Sequence, residues 1–133
     1  MLKEKTAVVT GANRGIGRCI LETFLGQGCK VVACVRQKDA ETEAMLSALP
    51  QAEGASVTVV ELDLADESSI KSAVRQIVGS LPRLDILVNN AGVASGGLFQ
   101  MSSVAEMRRV FEVNVFGTLQ FSQGLARLMT RQK

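Results

Sequence analysis

The fold of this chain is decided by residues 6–17, which read Thr6-Ala7-Val8-Val9-Thr10-Gly11-Ala12-Asn13-Arg14-Gly15-Ile16-Gly17. The first five residues are apolar or β-branched and predict a strand, and apolar residues at helical spacing begin near Gly15. Glycines between a strand and a helix permit a tight turn and let backbone N–H groups come close to a phosphate. The positive end of the helix dipole would add to that attraction. We therefore expect a dinucleotide-binding turn, with the candidate binding residues Gly11, Asn13, Arg14, Gly15, Ile16 and Gly17.

The spacing of these glycines leaves a second interpretation open. The pattern Gly-x-x-x-Gly-x-Gly differs from the commoner Gly-x-Gly-x-x-Gly of dinucleotide-binding folds. The glycines alone would also suit a strand-to-helix turn that binds nothing. The strand before the turn and the helix after it favour the cofactor.

The composition is that of one globular domain. The 133 residues are 47% hydrophobic and 21% charged, with a net charge of +2, which suits a single core and is far from disorder. So small a net charge does not favour nucleic acid or a membrane surface. No apolar run approaches the roughly 20 residues of a membrane-spanning helix, and residues 1–5 lack the apolar region of a signal peptide. We expect a cytoplasmic protein without nucleic-acid or membrane partners.

The cysteines point to no metal site. Cys19, Cys29 and Cys34 are odd in number and show no paired Cys-x-x-Cys spacing, which is typical of reduced, mostly buried thiols. A disulfide or redox switch is only weakly supported by this spacing. Because the sequence has no histidine, a zinc site is not expected.

Strand and helix patterns alternate along the chain, which predicts parallel βαβ units. Strands are expected at residues 6–10, 30–35, 56–62 and 85–89, and helices at 15–27, 39–49, over about fourteen residues capped by Asp66, and from the capping box Ser103-x-x-Glu106 to about Met129. Right-handed crossovers give the sheet order 3-2-1-4. This is an α/β architecture, half of a doubly wound Rossmann fold whose second half is absent. Strand four would then have an open outer edge, which something must pair with or cover.

The end of strand two indicates which nicotinamide cofactor is bound. An NAD-binding fold usually has an acid about twenty residues beyond the glycines, but this segment reads Ala33-Cys34-Val35-Arg36-Gln37. Arg36 can instead meet a 2′-phosphate with a planar fork of donors, and Arg14 can approach the same phosphate. Two solvated surface arginines are the alternative. We predict NADP(H).

Four motifs occur in order along the chain: Thr10–Gly17, Asp63-Leu64 after strand three, Asn89-Asn90-Ala91-Gly92 after strand four, and Asn114 within the last helix. Together they resemble the short-chain dehydrogenase/reductase family, and among its members the bacterial β-ketoacyl-acyl-carrier-protein reductases. The resemblance implies that Asp63 and Leu64 contact the adenine. It also implies that Asn90, Ala91 and Gly92 line the cofactor's ribose.

The same resemblance gives roles to two neighbouring residues of the last helix. Val113 would form a wall of the adenosine and ribose site. Asn114 would kink the helix and hold a water in the proton relay, which makes it the one catalytic candidate. Plain alternatives remain for each motif: a strand-end turn at Asp63, an empty turn at residues 90–92, and a tolerated polar residue at Asn114.

A proton donor for carbonyl reduction is missing from the chain. Hydride transfer needs such a donor near the new alkoxide, and the family uses a Ser followed by Tyr-x-x-x-Lys, all beyond the equivalent of Asn114. The chain has no tyrosine and ends nineteen residues after Asn114; Ser122 is a nearby hydroxyl that nothing identifies as the family serine. Family members are about twice this long.

These observations predict that residues 1–133 are the N-terminal NADP-binding half of a reductase acting on a small carbonyl or acyl-carrier substrate, inactive alone. A non-catalytic nucleotide-binding module is one alternative. A self-associating module is another, because the open strand edge and the apolar stripe at residues 104–128 could pair two copies. The resemblance adds that this helix usually packs in a subunit interface, so a homo-oligomer is expected.

Overall fold

Four parallel strands form the centre of the computed structural model, which describes residues 1–132. They are β1 (Thr6–Thr10), β2 (Lys30–Val35), β3 (Ser56–Glu61) and β4 (Ile86–Val88). Their order is β3-β2-β1-β4, which confirms the predicted half of a doubly wound sheet. In register, Val8 of β1 lies between Val32 of β2 and Leu87 of β4. β3 ends one residue earlier than expected, and β4 is one residue shorter than expected at each end.

The helices cover both faces of this sheet. They are α1 (Gly15–Gly26), α2 (Ala40–Ser47), α3 (Glu67–Ser80), α4 (Val104–Phe111) and α5 (Thr118–Thr130), with a short 3₁₀ turn at Phe99–Met101. A π-helical segment, Glu112–Gly117, joins α4 to α5. The expected single helix from Ser103 to about Met129 is therefore continuous, but it is wound differently in its middle.

Side-chain caps fix where these helices begin. Asp39 accepts a hydrogen bond from Thr42 N (2.7 Å), Asp66 from Ser68 N (2.9 Å), and Ser103 Oγ from Glu106 N (3.1 Å). These caps satisfy backbone donors that the first helical turn leaves without partners. The hydrogen bonds from Thr42 and from Ser68 also lower the pKa values of Asp39 and Asp66. The caps predicted at Asp66 and Ser103 are confirmed.

Apolar side chains alternate between the two faces of the sheet and form two cores. Val8, Val32 and Val60 pack with α3 and α5, where Phe121 is fully buried. Ala7 and Val9 pack on the opposite face with the buried residues of α1 and α2, including Leu21, Leu25 and Leu46. Because all four strands are parallel, their carboxyl ends meet at one edge, and the loops there form the candidate site.

The outer edge of β4 is open within the described part of the chain. Among residues 1–132 this strand pairs with β1 alone, and its three apolar residues are only half-buried. Several large apolar side chains of the α4–α5 region are exposed as well, namely Val104, Phe111, Phe116 and Leu119. The expected open edge is confirmed, and part of the apolar stripe faces outward.

Asp85 joins the beginnings of β1 and β4 at the opposite end of the sheet. Its Oδ2 accepts a hydrogen bond from Thr6 N (3.0 Å), and its own N–H donates to Thr6 O (2.9 Å). Its Oδ1 accepts from Arg83 Nε (2.8 Å), and only 9% of the side chain is exposed. The hydrogen bond from Arg83, followed by that from Thr6, lowers the pKa of Asp85 below its ordinary value.

Acid should weaken the fold partly through this carboxylate. Because the folded-state pKa of Asp85 is lowered, its contribution is fully present above the unfolded-state pKa and is lost as the pH falls through the folded value. We expect Asp85→Asn to cost about 1–2 kcal/mol at neutral pH and to flatten the fall in unfolding free energy below about pH 4. Urea titrations across this pH range, with the exposed Glu53→Gln as the control, measure both effects. An unchanged slope in Asp85→Asn would contradict this role.

Candidate functional site

A groove of about 950 Å³ lies along the carboxyl ends of the strands. Every residue predicted to bind the cofactor lines it except Ile16 and Gly17, and Asn114 also lies outside the lining. The predicted residues that the structure brings together here are Gly11, Asn13, Arg14, Gly15, Arg36, Asp63, Leu64, Asn90, Ala91, Gly92 and Val113. The sequence motifs that are far apart along the chain therefore meet in one place.

The glycine turn brings α1 very close to the end of β1. Gly11 and Gly15 have φ values of +63° and +57°, a left-handed conformation that favours glycine. A Cβ atom on Gly17 would overlap the carbonyl oxygen of Gly11 and lie 2.5 Å from Asn90 Nδ2. No side chain caps the N-terminus of α1, where Arg14 is the first flanking residue. The turn therefore presents free backbone donors at a helix N-terminus, an arrangement that suits a phosphate.

Thr10 holds the glycine turn against the loop that follows β4. Its Oγ1 accepts hydrogen bonds from Asn90 N (3.0 Å) and Ala91 N (2.9 Å). In return, Asn90 Nδ2 donates to Thr10 O (3.2 Å) and Gly11 O (3.3 Å). Thr10 is 1% exposed. Thr10 belongs to the first sequence motif but has no predicted role. Its hydroxyl at the carboxyl end of a buried strand is the feature of the sequence that could have indicated one.

The turn after β3 is organised by the Asp63 carboxylate. Its Oδ1 accepts a hydrogen bond from Ala65 N (2.9 Å), and Asp63 N donates to Ser69 Oγ (2.9 Å). Among residues 1–132 no hydrogen bond engages its other carboxylate oxygen. Leu64 is 5% exposed and forms part of the core. One oxygen thus shapes the turn while the other is available to a ligand in the groove.

Two exposed guanidinium groups, those of Arg14 and Arg36, line the same groove. Neither forms an ion pair with the residues that the structure describes. Asp39 lines the groove at the start of α2, and its carboxylate accepts the hydrogen bond from Thr42 N that caps this helix. The groove therefore offers an anionic ligand two guanidinium groups that have no ion-pair partner within residues 1–132, in a lining that also contains Asp39 and Glu61.

Cys34 lines the groove but is not a nucleophile. It is 1% exposed, and burial raises its pKa to about 12, so it carries a neutral thiol near pH 7. Burial, together with the charge of Asp85, also raises the pKa of Cys29. All three cysteines are free, and Cys19 is exposed. Within residues 1–132 no group of His, Cys, Asp and Glu side chains is arranged to hold a metal ion.

The π-helical segment sets the positions of Val113 and Asn114. Val113 is 7% exposed and faces the groove, and its carbonyl accepts a hydrogen bond from Thr118 Oγ1 (3.0 Å), five residues on. A Cβ on Gly117 would overlap the carbonyl oxygen of Leu64, so this glycine lets the helix touch the turn after β3. Asn114, where a kink was expected, lies in this wider helical turn, and the kink itself stays a prediction.

Both polar atoms of the Asn114 side chain are used within the protein. Its Oδ1 accepts from Val93 N (2.8 Å) and its Nδ2 donates to Val93 O (2.7 Å). The side chain therefore fixes the loop after β4 and does not enter the groove. Its part in a proton relay stays a prediction.

None of the helices in residues 1–132 combines the length and the apolar character needed to cross a bilayer.

Comparison with known sequences identifies relatives over nearly the whole chain. A family model described as short chain dehydrogenase matches residues 5–133. An uncharacterised oxidoreductase of Thermotoga maritima is 41% identical over 88% of this chain and 45% of its own length. The 3-oxoacyl-(acyl-carrier-protein) reductase FabG of Escherichia coli is 33% identical over 97% of this chain and 51% of its own length. The chain therefore spans about half the length of these relatives.

Solved structures give the same picture. L-sorbose reductase from Gluconobacter frateurii, complexed with NADPH and L-sorbose, has a TM-score of 0.88 and 28% identity, over 98% of this chain and 49% of that one. The RhlG/NADP active-site complex of Pseudomonas aeruginosa has a TM-score of 0.85 and 32% identity, over 98% of this chain and 50% of that one. The likeness extends over nearly the whole of this chain.

Proposed function

Because the chain belongs to the short-chain dehydrogenase family, we propose that residues 1–133 form the NADP(H)-binding half of an oxidoreductase that reduces a carbonyl group. One observation carries this proposal: the glycine turn, Arg14 and Arg36, and the Asn90-Ala91-Gly92 loop border a single groove. Related structures are described as complexes with NADPH or NADP, which supports the choice of cofactor. Relatives named as 3-oxoacyl reductases support a small carbonyl or acyl-carrier substrate.

The groove fits the proposed cofactor on geometric grounds. Gly17 has no room for a side chain because α1 begins directly against the glycine turn, and the backbone N–H groups at this helix N-terminus would bind a diphosphate. Arg36, assisted by Arg14, would bind the 2′-phosphate with charge-assisted hydrogen bonds. The free oxygen of Asp63 would accept from the adenine amine, beside Leu64.

The other end of the cofactor would lie by the loop after β4. Asn90, Ala91 and Gly92 would line its ribose, with Val113 opposite. Asn114 would support this loop through Val93. When bound, the nicotinamide supplies the hydride.

We also propose that the proton donor is not supplied by these 133 residues. The sequence has no tyrosine and no histidine. Ser122, on α5, does not line the groove, and its hydroxyl is engaged within the protein. Its Oγ donates to Thr118 O (2.8 Å) and accepts from Asn89 Nδ2 (2.9 Å). The chain by itself would bind the cofactor without turning over a substrate.

Cofactor binding and turnover can be tested separately with the 133-residue protein. Because the chain has no tryptophan or tyrosine, the fluorescence of NADPH itself reports binding. We expect saturable binding that 2′,5′-ADP displaces, and NADPH oxidation with a simple keto ester no faster than in a protein-free blank. An empty groove at millimolar NADPH would overturn the binding proposal, and ordinary enzymatic turnover would overturn the missing donor.

A second candidate function is self-association. The edge of β4 has no partner strand within residues 1–132, and the side chains of Phe111, Phe116 and Leu119 are exposed; both features would favour a homo-oligomer. A sedimentation profile of folded monomers at tens of micromolar would contradict this candidate.

The buried thiols of Cys29 and Cys34 are compatible with the reducing cytoplasm that the sequence suggested.

A further inference from the structure

Arg109 is a groove residue that no motif of the sequence singles out. It lies in the last turn of α4, four residues before Val113, and therefore on the same face of the helix. Both residues line the groove. The helix is held at this place because Gly117 lets it touch the Leu64 carbonyl. The position of Arg109 relative to the turn after β3 is thus fixed by backbone packing.

The end of the groove at which Arg109 lies can be identified from its neighbours. A second depression, of about 710 Å³, lies on the outer side of α4 and is lined by apolar residues such as Met107 and Phe111. Ala65 and Arg109 are the residues that border both the groove and this depression. Arg109 therefore lies at the end of the groove that also contains Ala65, two residues after Asp63.

The guanidinium of Arg109 is available to a ligand. It forms no ion pair within residues 1–132. The acids at this end, Asp63 and Asp66, accept hydrogen bonds from backbone N–H groups of their own turns, and neither forms an ion pair with Arg109. If the adenine lies beside Asp63 and Leu64 as proposed, a planar cation at this end of the groove favours stacking of the guanidinium on that ring.

We propose that Arg109 is an additional cofactor-binding residue, which covers the adenine ring at the Asp63 end of the groove with its guanidinium plane. This inference rests on the proposed function. It gives Arg109 a different task from Arg36: the plane of the side chain holds the base, whereas Arg36 reads the 2′-phosphate.

The experiment compares three variants by titration with NADPH and NADH. Arg109→Ala is expected to weaken NADPH binding about three- to tenfold, with the same factor for NADH. Arg109→Lys keeps the charge but loses the plane, so it should bind almost as weakly as the alanine variant. Arg108→Ala removes an exposed neighbouring charge that faces only the second depression, and it should bind like the unchanged protein.

Each other outcome argues against the inference. Unchanged affinity in Arg109→Ala would overturn it. Full rescue by Arg109→Lys, with a larger loss for NADPH than for NADH, would show a phosphate contact instead of stacking. Equal losses of affinity in Arg108→Ala and Arg109→Ala would show that the effect comes from the change in net charge and not from stacking. If the unchanged protein binds no nucleotide, the proposed function itself fails, which the control titration reveals first.

Discussion

Gly17→Ala is expected to destabilise the protein by about 3 kcal/mol or more, a large part of the 5–15 kcal/mol that typically separates folded from unfolded domains. The added Cβ would overlap the carbonyl oxygen of Gly11 and crowd Asn90 Nδ2. The new Cβ would meet the backbone of Gly11 on one side and the side-chain amide of Asn90, which donates two hydrogen bonds, on the other. Neither can rotate away as the end of a flexible side chain could, so α1 must move off β1.

Gly26→Ala supplies the matched control on the same helix. A Cβ at Gly26 meets nothing within 4 Å, and alanine is intrinsically better than glycine in a helix by up to about 1 kcal/mol. Urea unfolding followed by far-ultraviolet circular dichroism should therefore give a lower midpoint for Gly17→Ala and an equal or higher one for Gly26→Ala. NADPH binding should be lost only in the first variant, because displacement of α1 spoils the turn. Equal midpoints for the two variants would show that the contact at Gly17 is not tight.

The architecture could be predicted because its determinants are local in sequence. The apolar run Thr6–Thr10, the glycines after it and the cap at Asp66 each specify an element by themselves, and the handedness of crossovers then restricts the order of the strands. The glycine turn is the same kind of feature: its left-handed residues, Gly11 and Gly15, are encoded where they act.

The remaining features of the site depend on contacts between distant segments, which periodicity cannot reveal. The π-helical segment ends at Gly117, which lies against the Leu64 carbonyl, and the sequence does not show which distant backbone atom this glycine meets. Asn114 stands out in the sequence as a polar residue on an apolar helix. Its partner, Val93, does not stand out, because it is an apolar residue that forms both hydrogen bonds through its backbone. Arg109 shares its charged neighbourhood with Arg108, and only the packing of α4 shows which of the two faces the groove.

Arg36→Ala should reduce affinity for NADPH by about ten- to a hundredfold, since hydrogen bonds between charged groups contribute about 1.5–3 kcal/mol. NADH lacks the 2′-phosphate, so its affinity should change less than about twofold by the same reasoning. Arg36 forms no ion pair within residues 1–132, so its removal leaves no buried carboxylate unpaired and stability should be unchanged. Arg75→Ala, an exposed arginine on α3 away from the groove, controls for the loss of one positive charge.

Arg36→Asp is expected to reverse the preference for NADPH over NADH. A carboxylate at the end of β2 is what NAD-binding folds use to accept hydrogen bonds from the ribose hydroxyls, and it would repel a 2′-phosphate. The variant should therefore bind NADH more tightly than NADPH, the reverse of the unchanged protein. Parallel titrations with both cofactors at one ionic strength decide this, because salt screens exposed charges. If Arg36→Ala and Arg36→Asp weaken both cofactors by the same factor, the 2′-phosphate is not bound by Arg36, and Arg14 becomes the residue to change.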